Sequence, residues 1–178
     1  EIYSIKGLKA FLKIAEQKNL ERFPIHIKLD TGMHRLGFEA NTIDELITTL
    51  KGNQRVEVKS ILSHMATSDA KEHQQFSLSQ IRLFDKLSSQ LMRELTIQPI
   101  RHILNTSGIS NFPQGQFDMV RLGIGLYGVS NDGEEQKYLE NVSTLKSVIS
   151  QIRTIPAGDS VGYGRRFMAE KPTQVATI

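Results

Sequence analysis

The sequence contains no cysteine and no tryptophan, and only four tyrosines and eight phenylalanines. The absence of cysteine excludes disulfides, thiolate catalysis, iron–sulfur clusters and cysteine-ligated zinc, and it suits a reducing compartment. The scarcity of aromatic residues and the scatter of the basic ones argue against nucleic acid as a partner, because such surfaces stack bases on aromatic rings along a basic groove. No apolar run approaches the roughly 20 residues of a membrane span, so we predict no membrane partner.

The composition is that of an ordinary globular protein. Of the 178 residues, 39% are hydrophobic and 23% are charged, and 22 Lys plus Arg against 19 Asp plus Glu give a net charge of +3. Such a chain can bury a sizeable core, which excludes a disordered or fibrous protein. The first residue is Glu1, and residues 174–178 predict a strand with nothing after it. We therefore expect an internal piece of a longer protein, and we identify no metal ligands.

Helical and strand periodicities alternate along the first 130 residues. Helical spacing occurs at residues 5–15, 43–50 and 77–95, and strands are predicted near residues 25–29, 56–63, 102–104 and 119–121. This order predicts right-handed βαβ units around a parallel sheet. A complete eight-stranded barrel typically needs about 250 residues, so the pattern fits half a barrel or a small open sheet.

A polar segment at residues 131–136 separates this region from a different pattern. Residues 145–155 and 174–178 predict strands, with a turn at residues 156–159 and no helix between them. We expect a first domain at residues 1–133 and the start of a β-rich domain at residues 138–178.

The segment IHIKLDTGMHRLG, residues 25–37, carries the first candidate site. Its alternation turns His26, Lys28 and Asp30 to the face opposite the apolar residues, which in a barrel is the lumen. A lysine buried there must be paired, neutral or modified. Arg35 follows in a loop beyond the strand end, where parallel α/β sheets place their sites. The alternative is a structural salt bridge between Asp30 and a nearby cation.

Further candidates follow the later strands. His64 stands where the second strand ends, and it either moves a proton or serves a structural role. Small residues around Asn105, Thr106 and Gly123 follow predicted strands, and their backbone N–H groups could cradle a phosphate. Arg121 lies in an apolar run, which implies an anionic or acceptor partner.

These motifs together resemble the bacterial alanine racemases. The signature segment is KLDTGMHRLG at residues 28–37, and DMVRLGIGLYG at residues 118–128 resembles a later motif. Residues 64–67, His102 with residues 105–106, and residues 161–164 with 175–178 are similar to other family segments in the same order. The resemblance implies the second half of a pyridoxal-phosphate-binding TIM (β/α)8 barrel at residues 1–133, followed by the first strands of a C-terminal β domain.

The resemblance also implies roles for individual residues. Arg121 would hydrogen-bond the pyridine nitrogen of pyridoxal 5'-phosphate and keep it unprotonated, and His64 would support Arg121 within a proton relay. Lys28 would be the position that is carbamylated in many members, where the carbamate pairs with Arg35.

The remaining roles concern the cofactor and the substrate. Arg35 would contact the phenolic oxygen and Asn105 would lie beside the ring. The phosphate would be held by Thr106, Gly123 and Ile124, and the backbone of Met33 would face the substrate carboxylate. Thr106 stands where the family usually has serine, which keeps the hydroxyl.

The implied activity is the interconversion of L- and D-alanine for peptidoglycan synthesis, by a head-to-tail homodimer in the cytoplasm. The family's catalytic lysine belongs to a Lys-Ala-Asn-Ala-Tyr-Gly-His segment, which this sequence lacks, and no tyrosine here matches the second base. We therefore expect the chain alone to be inactive. The alternatives are a racemase of serine or another amino acid, and a pyridoxal-phosphate-binding homologue without activity, against which the paired Lys28 and Arg35 argue.

Overall fold

Helices and parallel strands alternate through the first part of the computed structural model, which describes all 178 residues. The chain forms two compact units, Glu1–Val142 and Ser143–Ile178. The helices of the first unit are α1 (Ile5–Gln17), α2 (Ile43–Leu50), α3 (Gln74–Leu95), α4 (Thr106–Asn111) and α5 (Gly133–Gln136), and its strands are β1 (Phe23–Lys28), β2 (Val56–Leu62) and β3 (Ile100–His102). None of the helices combines the length and hydropathy that a membrane span requires.

The three strands form one parallel sheet in the order β1-β2-β3, which confirms the predicted βαβ arrangement. Backbone segments extend the sheet on both sides. Ile2 pairs in parallel with Ile27 beside β1. On the other side, the N–H groups of Asp118 and Arg121 donate to carbonyl oxygens of Arg101 and Leu104. Residues 119–121 therefore lie beside β3 but do not form the regular strand that the sequence predicted, and the sheet is that of a partial barrel.

The core lies between one face of this sheet and the helices. Ile25, Ile27 and Leu29 are buried, as their two-residue period predicts. The helices contribute a continuous apolar set: Leu8, Ala15, Ile43, Leu46, Ile47, Leu50, Phe84, Leu87 and Leu91. Burying one such Leu, Ile or Phe side chain contributes about 1.5–3 kcal/mol. The opposite face of the strands is left to polar side chains.

Two helix starts differ from the sequence pattern. The expected start of α3 at Ser77 is wrong, because the helix begins at Gln74; Ser77 is fully buried and its hydroxyl hydrogen-bonds Thr67. Thr42 and Glu45 have the residue types and spacing of a capping box, but this box does not form. The Thr42 hydroxyl donates to the Glu39 carbonyl instead of accepting an N–H group of α2.

The polar segment predicted as a linker contains the short helix α5. The Asp132 carboxylate accepts the N–H groups of Glu134 and Glu135, which is the usual N-cap arrangement. These hydrogen bonds lower the pKa of Asp132.

The second unit consists of strands joined by turns, with one short 3-10 helix at Tyr163–Arg165. Its strands are β4 (Gln151–Ile155), β5 (Ser160–Val161), β6 (Phe167–Met168) and β7 (Thr173–Thr177). β4 pairs antiparallel with β7, and β5 pairs antiparallel with β6. The β-rich character is as predicted, but the first strand begins at Gln151 and not near residue 145.

Candidate functional site

The sequence-predicted site residues gather at the carboxyl ends of the three parallel strands. Lys28 ends β1, His64 follows β2 by two residues, and His102 ends β3. The register aligns them, because Lys28 pairs with Leu62 and Leu62 pairs with His102. This edge of a parallel α/β sheet is where such folds place their sites.

Arg121 lies at the centre of this edge and is half-buried. Its Nη2 donates to the carbonyl oxygens of Ser63 (2.7 Å) and Ile103 (3.3 Å), and its Nη1 donates to the carbonyl of His102 (3.3 Å). Three backbone acceptors therefore hold one guanidinium in a fixed plane. No hydrogen bond within the chain uses Nε, which remains a donor for a bound molecule.

Two histidines contact the same guanidinium. Nη1 hydrogen-bonds His102 Nδ1, and Nη2 lies 3.4 Å from His64 Nδ1. Because a guanidinium has no acceptor, each Nδ1 must be unprotonated. The structure thus brings together Arg121 and His64, the pair that the sequence associated.

Burial and charge both keep these histidines neutral. Burial, with the charges of Arg121 and His26, lowers the pKa of His102 from 6.5 to about 4, while Glu1 acts in the opposite direction. The pKa of His64 is lowered by burial first, then by the charges of Arg121, Arg35 and Lys28. A neutral imidazole can both accept from Arg121 and hold a proton on Nε2.

Lys28 lies on the polar face of the sheet, as its alternation predicts, with 12% of its side chain exposed. Its Nζ lies 3.5 Å from a carboxylate oxygen of Glu1. Arg35 is exposed in the following loop. The charges of both Lys28 and Arg35 act on His64, but the ionic partner of Lys28 is Glu1.

The loop after β1 folds back onto its own strand. The Asp30 carboxylate accepts the N–H groups of Gly32 (2.8 Å) and His34 (3.1 Å), so it serves mainly to close the loop. The alternative salt bridge reduces to a long contact of 3.7 Å with the exposed His34 ring. Gly37 has φ +140°, and a Cβ there would lie 2.4 Å from the Asp30 nitrogen. Only glycine fits this turn, which holds the half-buried Met33 and the exposed Arg35 near the site.

Thr106 and the glycine segment meet at the end of β3. The buried Thr106 hydroxyl oxygen accepts the N–H groups of Gly123 (3.0 Å) and Gly125 (3.1 Å). Since the oxygen accepts twice, its own proton is directed elsewhere. The N–H group of the half-exposed Ile124 has no partner in the chain. The Asn105 side chain caps α4 by accepting from Gly108, and it also accepts from Ser68.

Comparisons with known proteins identify the family of the chain. Residues 1–131 match the family model described as alanine racemase, N-terminal domain, and residues 142–178 match alanine racemase, C-terminal domain. The chain belongs to the alanine racemase family. The match to both family models confirms the resemblance drawn from the motifs.

Individual members of the alanine racemase family match nearly the whole chain. The alanine racemase of Helicobacter pylori (strain G27) is 33% identical over 99% of this chain and 49% of its own length, and that of Clostridium novyi is 34% identical over 99% and 46%. The chain thus spans about half the length of the curated relatives that it matches.

Solved alanine racemase structures share the fold. The enzyme from Streptomyces lavendulae is 28% identical with a TM-score of 0.84, covering 98% of this chain and 47% of its own. The Bartonella henselae structure, with covalently bound pyridoxal phosphate, is 29% identical with a TM-score of 0.68, covering 98% and 46%.

Sequence reasoning missed two polar residues of this candidate site. His26 and Ser60 hydrogen-bond each other at 2.7 Å, and Ser60 also contacts His102 at 3.2 Å. Strand alternation placed His26 on the correct face without giving it a role. A strict two-residue alternation would have placed Ser60 on the same face of β2 as Val58. It fails here because the register shifts between Val58 and Ser60.

The low pKa of His102 predicts a pH dependence of stability. The folded-state pKa lies below that of the unfolded chain, so the unfolded chain binds more protons between pH 6.5 and about 4. The contribution of His102 to the free energy of unfolding is therefore fully present above pH 6.5. It is lost as the pH falls through about 4, and the loss amounts to about 3 kcal/mol. Urea denaturation at several pH values measures it.

The contribution of His102 is isolated by comparing variants. His102→Asn should flatten the pH dependence relative to the unsubstituted chain between pH 7 and 4.5. His73→Gln removes an exposed histidine and should leave the dependence as it was. An equal slope in all three proteins would contradict the assignment.

Proposed function

We propose that a protein of the relatives' full length carrying this chain is a pyridoxal-phosphate-dependent alanine racemase that interconverts L- and D-alanine. Membership of the family supports the class. The observation that carries the proposal is Arg121, which three carbonyl oxygens and two neutral histidines hold while its Nε remains available.

The residues present fit pyridoxal phosphate. The hydroxyl proton of Thr106 and the N–H group of Ile124 are two donors beside Gly123, suited to phosphate oxygens. Arg121 would donate from Nε to the pyridine nitrogen, and a guanidinium forms this bond without giving up its proton. When bound, the cofactor supplies the electron sink for chemistry at the α-carbon.

The positive groups of the site would orient the substrate and hold His64 neutral. Arg35 and Lys28 give the mouth of the site a positive potential, which suits a carboxylate, and we assign the backbone of Met33 to face that carboxylate. Arg35 would contact the phenolic oxygen. Carbamylation of Lys28 would convert a cation into an anion that can pair with Arg35.

His64 would act as a proton-holding group beside Arg121. Its Nδ1 accepts from the guanidinium, so Nε2 carries the proton and can exchange it with a neighbouring base. Asn105 would lie beside the cofactor ring, with its side chain fixed by Ser68 and Gly108.

The wider context is proposed from the family. Residues 1–133 would form the second half of the cofactor-binding barrel and residues 138–178 the start of the C-terminal β domain. The active protein would be a head-to-tail homodimer in the cytoplasm, and its D-alanine would serve peptidoglycan synthesis.

The test is the formation of D-amino acids by the full-length protein carrying this chain. With pyridoxal phosphate and L-alanine we expect sustained D-alanine formation, faster than D-serine formation from L-serine. Faster turnover of serine would instead identify a racemase of another amino acid. Cofactor binding without racemisation of any amino acid would identify a binding protein and refute the proposal.

A further inference from the structure

A chain of hydrogen bonds crosses the polar face of the sheet from β1 to β3. His26 Nδ1 lies 2.7 Å from Ser60 Oγ, and the same oxygen lies 3.2 Å from His102 Nε2. His102 Nδ1 in turn hydrogen-bonds Arg121. Neither Ser60 nor His26 has a role in the proposed mechanism, yet together they connect Arg121 to a residue on the far strand.

The direction of this chain is fixed at one end. Arg121 can only donate, so His102 Nδ1 accepts and the proton of the neutral ring is on Nε2. Nε2 then donates to Ser60 Oγ. The serine oxygen keeps a second lone pair and its own proton, so it either donates to His26 Nδ1 or accepts from it. The direction is therefore fixed from Arg121 through His102 to Ser60, whichever nitrogen of His26 carries a proton.

Burial makes the arrangement restrictive. Ser60 is 2% exposed and His102 is 5% exposed, and Ser60 is the only side-chain partner of His102 Nε2. The other tautomer of His102 would turn an N–H group toward the N–H groups of Arg121. Without the serine hydroxyl, the Nε2 proton would be buried with no acceptor, so the ring would have to rotate, change tautomer or admit water.

The charges around His102 favour its neutral form. Arg121 and His26 act on it from the neighbouring segments and lower its pKa with burial, and only Glu1 acts in the opposite sense. Near neutral pH the tautomer, and not the charge, is therefore the property that a neighbouring hydroxyl can control.

We propose that Ser60 is a positioning residue: its hydroxyl oxygen accepts the Nε2 proton of His102, stabilises the tautomer that can accept from Arg121 and hold it in place, and extends the chain to His26. The catalytic consequence rests on the proposed function. The tautomer itself does not, because it follows from contacts within this chain.

Nitrogen NMR of histidine-labelled full-length protein, without cofactor, tests the tautomer directly. In the unsubstituted protein His102 should show an unprotonated Nδ1 near neutral pH, whereas Ser60→Ala should give a mixture or the opposite tautomer. Ser60→Thr keeps the hydroxyl and should restore the original state. Ser88→Ala, which removes a fully buried serine from α3, should leave His102 unchanged.

Kinetics of the same variants test the consequence for the reaction. Ser60→Ala should lower kcat about tenfold, by analogy with the loss that follows removal of the second hydrogen-bond partner of a metal-bound histidine. KM for alanine should be nearly unchanged, the pH profile of kcat should shift, and Ser60→Thr should recover both.

The outcomes separate this inference from the proposed function. A protonated Nδ1 on His102 in the unsubstituted protein overturns the inference even if Ser60→Ala fails to fold. An altered tautomer in Ser60→Ala with unchanged kcat and pH profile overturns the positioning role. An altered tautomer in a protein that racemises nothing refutes the proposed function and supports the hydrogen-bond chain alone.

Discussion

The 178-residue chain, purified alone and supplied with pyridoxal phosphate and L-alanine, is expected to form no D-alanine above background. Racemisation needs one group to remove the α-proton and another to return a proton from the opposite face. The resemblance assigns these roles to a lysine and a tyrosine in motifs that this sequence does not contain. Lys28 and His64 do not supply this pair of bases, because Lys28 is ion-paired with Glu1 and the one lone pair of neutral His64, on Nδ1, already accepts from Arg121.

The full-length protein under identical conditions is the positive control for this experiment. Circular dichroism of the chain must show its helices, so that an absence of product is not simply an absence of folding. Sustained turnover by the folded chain would contradict the assignment of both bases, and it would require a proton-transferring pair within the residues described here.

Arg121→Met is expected to lower the free energy of unfolding by about 2–4 kcal/mol and to weaken binding of pyridoxal phosphate. The methionine fills much of the same space but donates nothing. The carbonyl oxygens of Ser63, His102 and Ile103 and two imidazole nitrogens would lose a donor, and leaving one buried polar group unsatisfied costs about 1–3 kcal/mol. Partial access of water keeps the total below the sum.

Urea denaturation and cofactor titration measure the two effects of Arg121→Met. Lys6→Met is the matched control, since it removes an exposed cation from α1 and should change stability little. Equal stability of the two variants would mean that Arg121 does not organise the strand ends. Unchanged cofactor affinity in Arg121→Met would contradict the contact with the pyridine nitrogen.

Much of the fold was predictable because its signals are local. The helical repeat of Leu8, Phe11 and Ala15 and the alternation of Ile25 and Ile27 each report which side of an element is buried, and the order of elements then implies parallel strands. Helix starts were less predictable. Ser77 has the residue type of a cap, but its hydroxyl hydrogen-bonds Thr67 in the loop that precedes α3.

The candidate site likewise combines residues that the sequence indicated with contacts that it did not predict. By itself the sequence determined the family motifs, the polar face that carries Lys28, and the candidacy of Arg121, since each depends on residue type and short spacing. Only the tertiary structure decided which partners these groups have. The register shift before Ser60 turns that hydroxyl toward His26 and His102, and the return of the chain beside β3 brings Arg121 to three carbonyl oxygens. Such contacts join residues far apart in the chain, and no local pattern encodes them.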